Sequence, residues 1–118
     1  MPILHIEIVG EASHYREDLA QSLADAAGKA LNSRPQGTWI KLHFLPPANY
    51  AENGGAIDGN PMIVSVLQAE PPAGEALSIQ THSLAEAIAD TSGHRLENVH
   101  IIIEPAANGR IAFGGDLG

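Results

Sequence analysis

The apolar and polar positions of the first 45 residues predict a strand, a helix and a second strand. Residues 1–9 are typical of a strand, which carries Pro2 directly after the initiator methionine. From Ser13, a predicted helix N-cap, to about Leu31, apolar residues recur at the spacing of one helix face. Residues 39–45 then alternate between two faces, which predicts a second strand.

The second half of the chain repeats this order of elements. Residues 48–60 are rich in glycine and are predicted to form a loop. Residues 61–67 predict a third strand, and the helix that follows is expected to end near Gly93. Residues 98–104 predict a fourth strand, and residues 110–113 a short extra strand.

The two halves indicate a duplicated β-α-β unit within a single domain that spans residues 1–118. The pseudo-repeats are assigned to residues 2–59 and 61–118, because Pro2 and Pro61 open them at a spacing of 59. The strands of each unit are expected to be parallel, with a right-handed crossover. The predicted fold class is therefore α/β, with a four-stranded sheet and two helices on one face.

Such a sheet has one face covered by helices and one face open. The helix-packed side is predicted to carry Leu4, Ile6, Ile8, Ile40, Leu42, Phe44, Val99, Ile101 and Ile103. The opposite side is predicted to carry the polar residues His5, Glu7, Lys41, His43, His100 and Glu104, and the apolar residues Ile3, Val9, Trp39, Leu45 and Ile102. Polar residues suit a solvated face, but the interleaved large apolar residues favour an interface between subunits.

Composition and charge narrow the range of partners. The net charge of −8 argues against nucleic acid and anionic membrane surfaces. The chain has no cysteine, and therefore no disulfide and no thiolate chemistry. No stretch has the length of a membrane span and no leader precedes the first strand, so a cytoplasmic location is expected.

Pro2 is the first candidate for chemistry. Methionine followed by a small residue is normally removed, and Pro2 would then be a secondary amine rather than an amide. An α-amino group titrates near about 8, and an apolar pocket or neighbouring cations lower that pKa. A neutral amine of this kind can act as a general base. Many Met-Pro starts are inert tails, so these two residues alone do not establish that Pro2 is a general base.

An N-terminal proline on the first strand of tandem β-α-β units resembles the tautomerase superfamily. In both halves a Gly-Gly pair ends a segment, residues 41–55 and 99–115, that is similar to the end of the 4-oxalocrotonate tautomerase unit. The resemblance covers nearly the whole chain and is to the long members with two units, such as macrophage migration inhibitory factor and 5-carboxymethyl-2-hydroxymuconate isomerase.

The resemblance implies a homotrimer with the helices outside and the active sites at subunit boundaries. It also implies that Pro2 moves a proton within a small enol or unsaturated keto acid, without a cofactor. Lys41 and His100 match positions at which short members of the family place a substrate-binding arginine. Tyr50 matches the aromatic wall of the pocket, while Ile111 occupies that position in the second half, beside Arg110.

Four of these residues also have a structural interpretation. Lys41 could be a surface lysine, His100 an interface histidine, Tyr50 a packing residue, and Arg110 the partner of an acidic residue such as Glu104 or Asp116. A metal site is not expected, because no pair among the six histidines has a known ligand spacing.

The chain also departs from the pattern of the family. Ala12, and Pro71 in the repeat, replace the binding arginine of the loop after the first strand. Residues 68–70 lack the arginine pair of the dehalogenase and decarboxylase branches. These departures disfavour dicarboxylate substrates and acid dehalogenation.

Three functional hypotheses follow. The first is a keto-enol tautomerase with Pro2 as the base. The second is a protein-binding member of the same fold with little or no turnover, which the missing arginine favours. The third is a decarboxylase or hydratase that depends on Pro2.

Overall fold

The secondary structure follows the predicted order closely. The computed structural model describes residues 2–55 and 59–117, so the predictions for Met1 and for the part of the loop at 56–58 lie outside the described residues. The elements are β1 (Ile3–Val9), α1 (Leu19–Ala30), β2 (Trp39–Leu45), β3 (Met62–Leu67), α2 (Gly74–Ser92), β4 (Val99–Ile103), β5 (Ala112–Phe113) and β6 (Asp116–Leu117). Short 3₁₀ turns lie at Ala12–His14, Pro47–Asn49 and Leu96–Asn98.

The predicted start of α1 is wrong. Ser13 lies inside a 3₁₀ turn, and the helix begins six residues later at Leu19, with Asp18 at the N-cap. The Tyr15 ring packs against Phe44 at a centroid distance of 5.2 Å and stacks on His94 at 5.8 Å. These contacts hold residues 12–15 against the sheet and the end of α2, so this segment cannot continue the axis of α1.

The four long strands form one mixed sheet with the order β2-β1-β3-β4. β1 is parallel to β2, and β3 is parallel to β4, as expected for the two β-α-β units. The two units meet in the antiparallel pair of β1 and β3, in which Ile3 lies opposite Leu67. β5 and β6 form a separate hairpin at the C-terminus.

The core lies between this sheet and the two helices. The inward side chains of β1 and β3 are fully buried, as are those of Leu23, Leu84 and Ile88 on the helices. Burying one such side chain is worth about 1.5–3 kcal/mol, so this layer provides most of the driving force for folding. The helix-packed side predicted from alternation is therefore confirmed.

The other face of the sheet is open in the single chain. Trp39 is 48% and Ile102 50% exposed there, and His5, Lys41, His43 and His100 are also exposed. Val9 keeps the strand parity of Ile3 and His5 but is only 2% exposed. It lies at the end of β1, where its N–H donates to Pro61 O and the Gly10 N–H donates to Leu45 O, so the chain encloses this position on both sides.

None of the helices among residues 2–55 and 59–117 has the length and apolar character needed to cross a membrane.

Candidate functional site

Pro2 is buried at the N-terminal end of β1. Its carbonyl oxygen accepts a hydrogen bond of 3.0 Å from the Trp39 N–H, which continues the ladder between β1 and β2. Because Ile3 pairs with Leu67, the antiparallel register places Pro2 beside Gln68 at the end of β3. The backbone around Pro2 is therefore fixed from both sides.

Pro2 lines a hollow of about 470 Å³ between two loops. One loop follows α1 and contributes Leu31, Asn32, Ser33, Arg34 and Gly37, and the other follows β3 and contributes Gln68, Ala69 and Glu70. Among the described lining residues, Arg34 and Glu70 carry charge. The hollow is thus lined by Pro2, one cation and one carboxylate.

A tight turn positions Arg34. The Gly37 N–H donates to Arg34 O at 2.9 Å, and a Cβ at position 37 would lie only 2.9 Å from that same oxygen. Only glycine fits there without displacing the backbone. Arg34 was not among the residues predicted for the site, although the turn residues between α1 and β2 signal a defined loop before a strand.

Glu70 and Gln68 are held by side chains from elsewhere in the chain. Asn108 Nδ2 donates to Glu70 Oε1 at 3.1 Å, and Gln68 Nε2 donates to Gln80 Oε1 at 3.1 Å. From the sequence, residues 68–70 were notable only for the arginines they lack. In the fold this segment forms a wall of the Pro2 hollow.

Lys41 and Arg110 lie in a second hollow, of about 560 Å³, on the open face of the sheet. Ile3, His5, Ser65, Leu67, Glu104 and Pro105 complete its lining. Arg110 donates to the carbonyl oxygen of Ala106 from Nε at 3.1 Å and from Nη2 at 2.8 Å, and also to Pro105 O at 3.3 Å. The guanidinium of Arg110 therefore stabilises the turn at residues 105–110. The structure brings Lys41 and Arg110 together, but not into the hollow of Pro2.

The remaining three predicted residues line neither hollow. The Tyr50 hydroxyl donates to Glu52 Oε2 at 2.7 Å, and this hydrogen bond raises the pKa of Tyr50. His100 is exposed on β4, and Ile111 is half-buried between Arg110 and β5. Within one chain, the aromatic contact of the hairpin is instead that of Phe113 with Trp39, edge to face at 5.8 Å.

Histidines gather on the open face, where the rings of His5 and His43 meet edge to face at 5.0 Å. Across the described part of the chain, no three histidine, aspartate or glutamate residues form a group that could hold a metal ion.

The fold is that of several solved structures. No family model matches the sequence, and no curated protein sequence is significantly similar to it. Macrophage migration inhibitory factor from Trichinella spiralis has a similar structure, with a TM-score of 0.75, 10% identity and 96% of each chain covered. A fused 4-OT wild-type symmetric trimer matches with a TM-score of 0.77 and 14% identity, over 98% of this chain and 94% of the other.

A malonate semialdehyde decarboxylase inhibited by 3-bromopropiolate matches with a TM-score of 0.71 and 20% identity, over 95% of this chain and 88% of the other. These three proteins belong to the tautomerase superfamily, so the likeness in fold that the sequence indicated is confirmed. At such identities the likeness establishes the fold and leaves the chemistry to the residues of the site.

Proposed function

We propose that this protein is a cofactor-independent isomerase that tautomerises a small enol or unsaturated keto acid, with Pro2 as the general base once Met1 is removed. The observation that carries the proposal is the position of Pro2, buried at the edge of a hollow that also contains Arg34. A secondary amine in such a hollow can take a proton from a hydroxyl or from carbon and return it elsewhere on the substrate.

Arg34 is the proposed anchor for the acid group of the substrate. A guanidinium can bind a carboxylate through two parallel hydrogen bonds, which fixes the distance and the orientation of the reacting carbon. The same positive charge stabilises the enolate that develops when the proton leaves. Gln68 lies beside Pro2 in the register; one N–H of its side-chain amide donates to Gln80 Oε1, and the other is the donor that we assign to the carbonyl oxygen of the substrate.

We also infer that three copies assemble through the open face of the sheet. The exposed indole of Trp39 and side chain of Ile102 give this face apolar character, and fused 4-OT neighbours form trimers. The predicted residues Lys41, Tyr50, His100, Arg110 and Ile111 lie outside the Pro2 hollow of their own chain. In a trimer they would take part in substrate binding by approaching the hollow of a neighbouring copy.

The experiment compares ketonisation of phenylenolpyruvate and 2-hydroxymuconate by the wild-type chain and two variants. Pro2→Ala retains an amine after methionine removal and should lose about 100- to 1,000-fold in kcat/KM, within the usual range for general-base catalysis. Pro2→Leu should retain Met1, which leaves an amide at position 2, and should have no turnover above background. Intact mass verifies the processing of each chain. Full activity in Pro2→Leu would overturn the proposal.

Decarboxylation is a second candidate, favoured by the likeness to malonate semialdehyde decarboxylase. A Pro2 amine that forms an iminium with an aldehyde substrate could be trapped with borohydride as a mass adduct on the N-terminal peptide. Carbon dioxide release from malonate semialdehyde that exceeds the rate of ketonisation would favour this reaction over tautomerisation.

A further inference from the structure

Glu70 has a fixed place in the Pro2 hollow. Its hydrogen bond from Asn108 joins residues that are 38 positions apart in the sequence. Two backbone hydrogen bonds reinforce this contact, from the Ala107 N–H to Gln68 O at 2.9 Å and from the Asn108 N–H to Ala69 O at 3.0 Å. Ala107 is 3% exposed. The turn after β4 therefore holds the loop that carries Glu70.

Building on the proposed role of Pro2, we propose that Glu70, oriented by Asn108, restricts this site to substrates with a single carboxylate. The described lining residues provide one cation, Arg34, and one anion, Glu70. A monocarboxylate can bind Arg34 and direct an uncharged end towards Glu70. A dicarboxylate would place its second negative charge beside Glu70, which selects against it by repulsion.

The same carboxylate affects the protonation of the Pro2 amine. A neighbouring negative charge stabilises the ammonium form, whereas the positive charge of Arg34 opposes it. A separate hollow on the open face contains the other charged groups of this region, Lys41, Glu104 and Arg110, and the imidazole of His5. These groups are unchanged in the variants below. Removing the charge of Glu70 should therefore move the acid limb of the pH–rate profile to lower pH.

The test measures kcat/KM for phenylenolpyruvate, which has one carboxylate, and for 2-hydroxymuconate, which has two. In Glu70→Gln the ratio should shift towards the dicarboxylate by about tenfold, and the acid limb of the profile should fall by about half to one pH unit, as expected for the loss of one partly solvated charge. Asn108→Ala should shift the ratio in the same direction by a smaller factor. Glu86→Gln removes a carboxylate that pairs with His82 on α2, and should change neither readout.

Calorimetric binding of cinnamate and muconate to the same variants tests the inference independently of turnover. Glu70→Gln should strengthen muconate binding several-fold relative to cinnamate. Unchanged binding and kinetic ratios in Glu70→Gln would overturn the role of Glu70, even if activity still depended on Pro2. Conversely, turnover that is insensitive to Pro2 substitution would overturn the proposed function, while the binding ratio would still decide the role of Glu70.

Discussion

Arg34 is the proposed anchor for the acid group of the substrate. It reaches the Pro2 hollow because the turn closed by Gly37 holds its backbone. A cation that binds the substrate equally in the ground state and the transition state changes KM, whereas one that binds the developing enolate also changes kcat. The two roles are therefore separable in one variant.

We expect Arg34→Ala to raise KM for phenylenolpyruvate by about 10- to 100-fold, in keeping with the loss of one charge-assisted contact. A fall in kcat as well would indicate that Arg34 stabilises the enolate. Lys29→Ala is the matched control, because Lys29 and Arg34 both line a neighbouring depression, whereas of the two only Arg34 also lines the Pro2 hollow. If both substitutions raised KM equally in steady-state assays, the effect would come from the loss of positive charge in general. That result would contradict a specific contact between Arg34 and the substrate.

His94 makes folding stability depend on pH. Burial lowers the pKa of His94, while a hydrogen bond with the backbone of Ser92 opposes the shift. Because the folded state disfavours the imidazolium, the stabilisation is fully present above the unfolded pKa of about 6.5 and is lost as pH falls through the lower folded value.

The prediction for His94 is a steeper loss of stability below about pH 6.5 in the wild-type chain than in His94→Gln. Urea unfolding at a series of pH values measures it. His82→Gln is the control, since His82 is an exposed partner of Glu86 on α2. The same pH dependence in His94→Gln and the wild-type chain would exclude His94 as the source.

At the scale of elements, the sequence pattern correctly predicted the element boundaries that local contacts determine. The bounds of β2 were predicted correctly from alternation, and the end of α2 from Gly93, which adopts the left-handed conformation with φ of 73°. The start of α1 was not, because the stacking of Tyr15 on His94 joins residues 79 positions apart. Periodicity along the chain contains no information about such a contact.

The spacing of 59 between Pro2 and Pro61 does not relate equivalent positions in the sheet. Pro2 is an even number of positions from Leu4 and Ile6, which are buried on the helix-facing side of β1. Pro61, in contrast, is two positions from Ile63, which lies on the open side of β3. An odd spacing exchanges the two faces of a strand. Of the proposed site, the sequence predicted Pro2 but neither Arg34 nor Glu70, because loops distant in sequence form the hollow.

Two glycines offer a matched test of helix geometry. Gly93→Ala should destabilise the fold by about 1 kcal/mol, because alanine is strained at a positive φ. Gly28→Ala lies inside α1, where its Cβ would make ordinary contacts of 3.7–3.8 Å with Thr38, and should be neutral or stabilising by up to about 1 kcal/mol. Chemical denaturation measures both, and a stabilising Gly93→Ala would contradict the assigned cap.

In the whole molecule, the two helices cover one face of the sheet and leave the other face open. The proposed trimer assembles through the open face. A charge placed at the centre of a subunit interface is desolvated without a partner, which costs several kcal/mol. A charge on the solvated side of a helix costs little. Placing a charge once on the open face and once on the solvated side of a helix therefore distinguishes an interface from an ordinary surface.

Ile102→Asp should convert a trimer to monomers, whereas Ile79→Asp, at a position on α2 that is 60% exposed, should leave the trimer intact. Light scattering coupled to size-exclusion chromatography measures the mass of each. A monomeric wild-type chain, or an Ile102→Asp variant that remains trimeric, would contradict assembly through this face.

The central claim, that Pro2 is a free amine that exchanges protons, is tested most directly by NMR of the ¹⁵N-proline-labelled chain. One of the eight proline nitrogens should lack the shift of a tertiary amide and should titrate between about pH 5 and 9, in the range open to a perturbed α-amino group. Eight amide-like signals that do not change with pH would contradict the account.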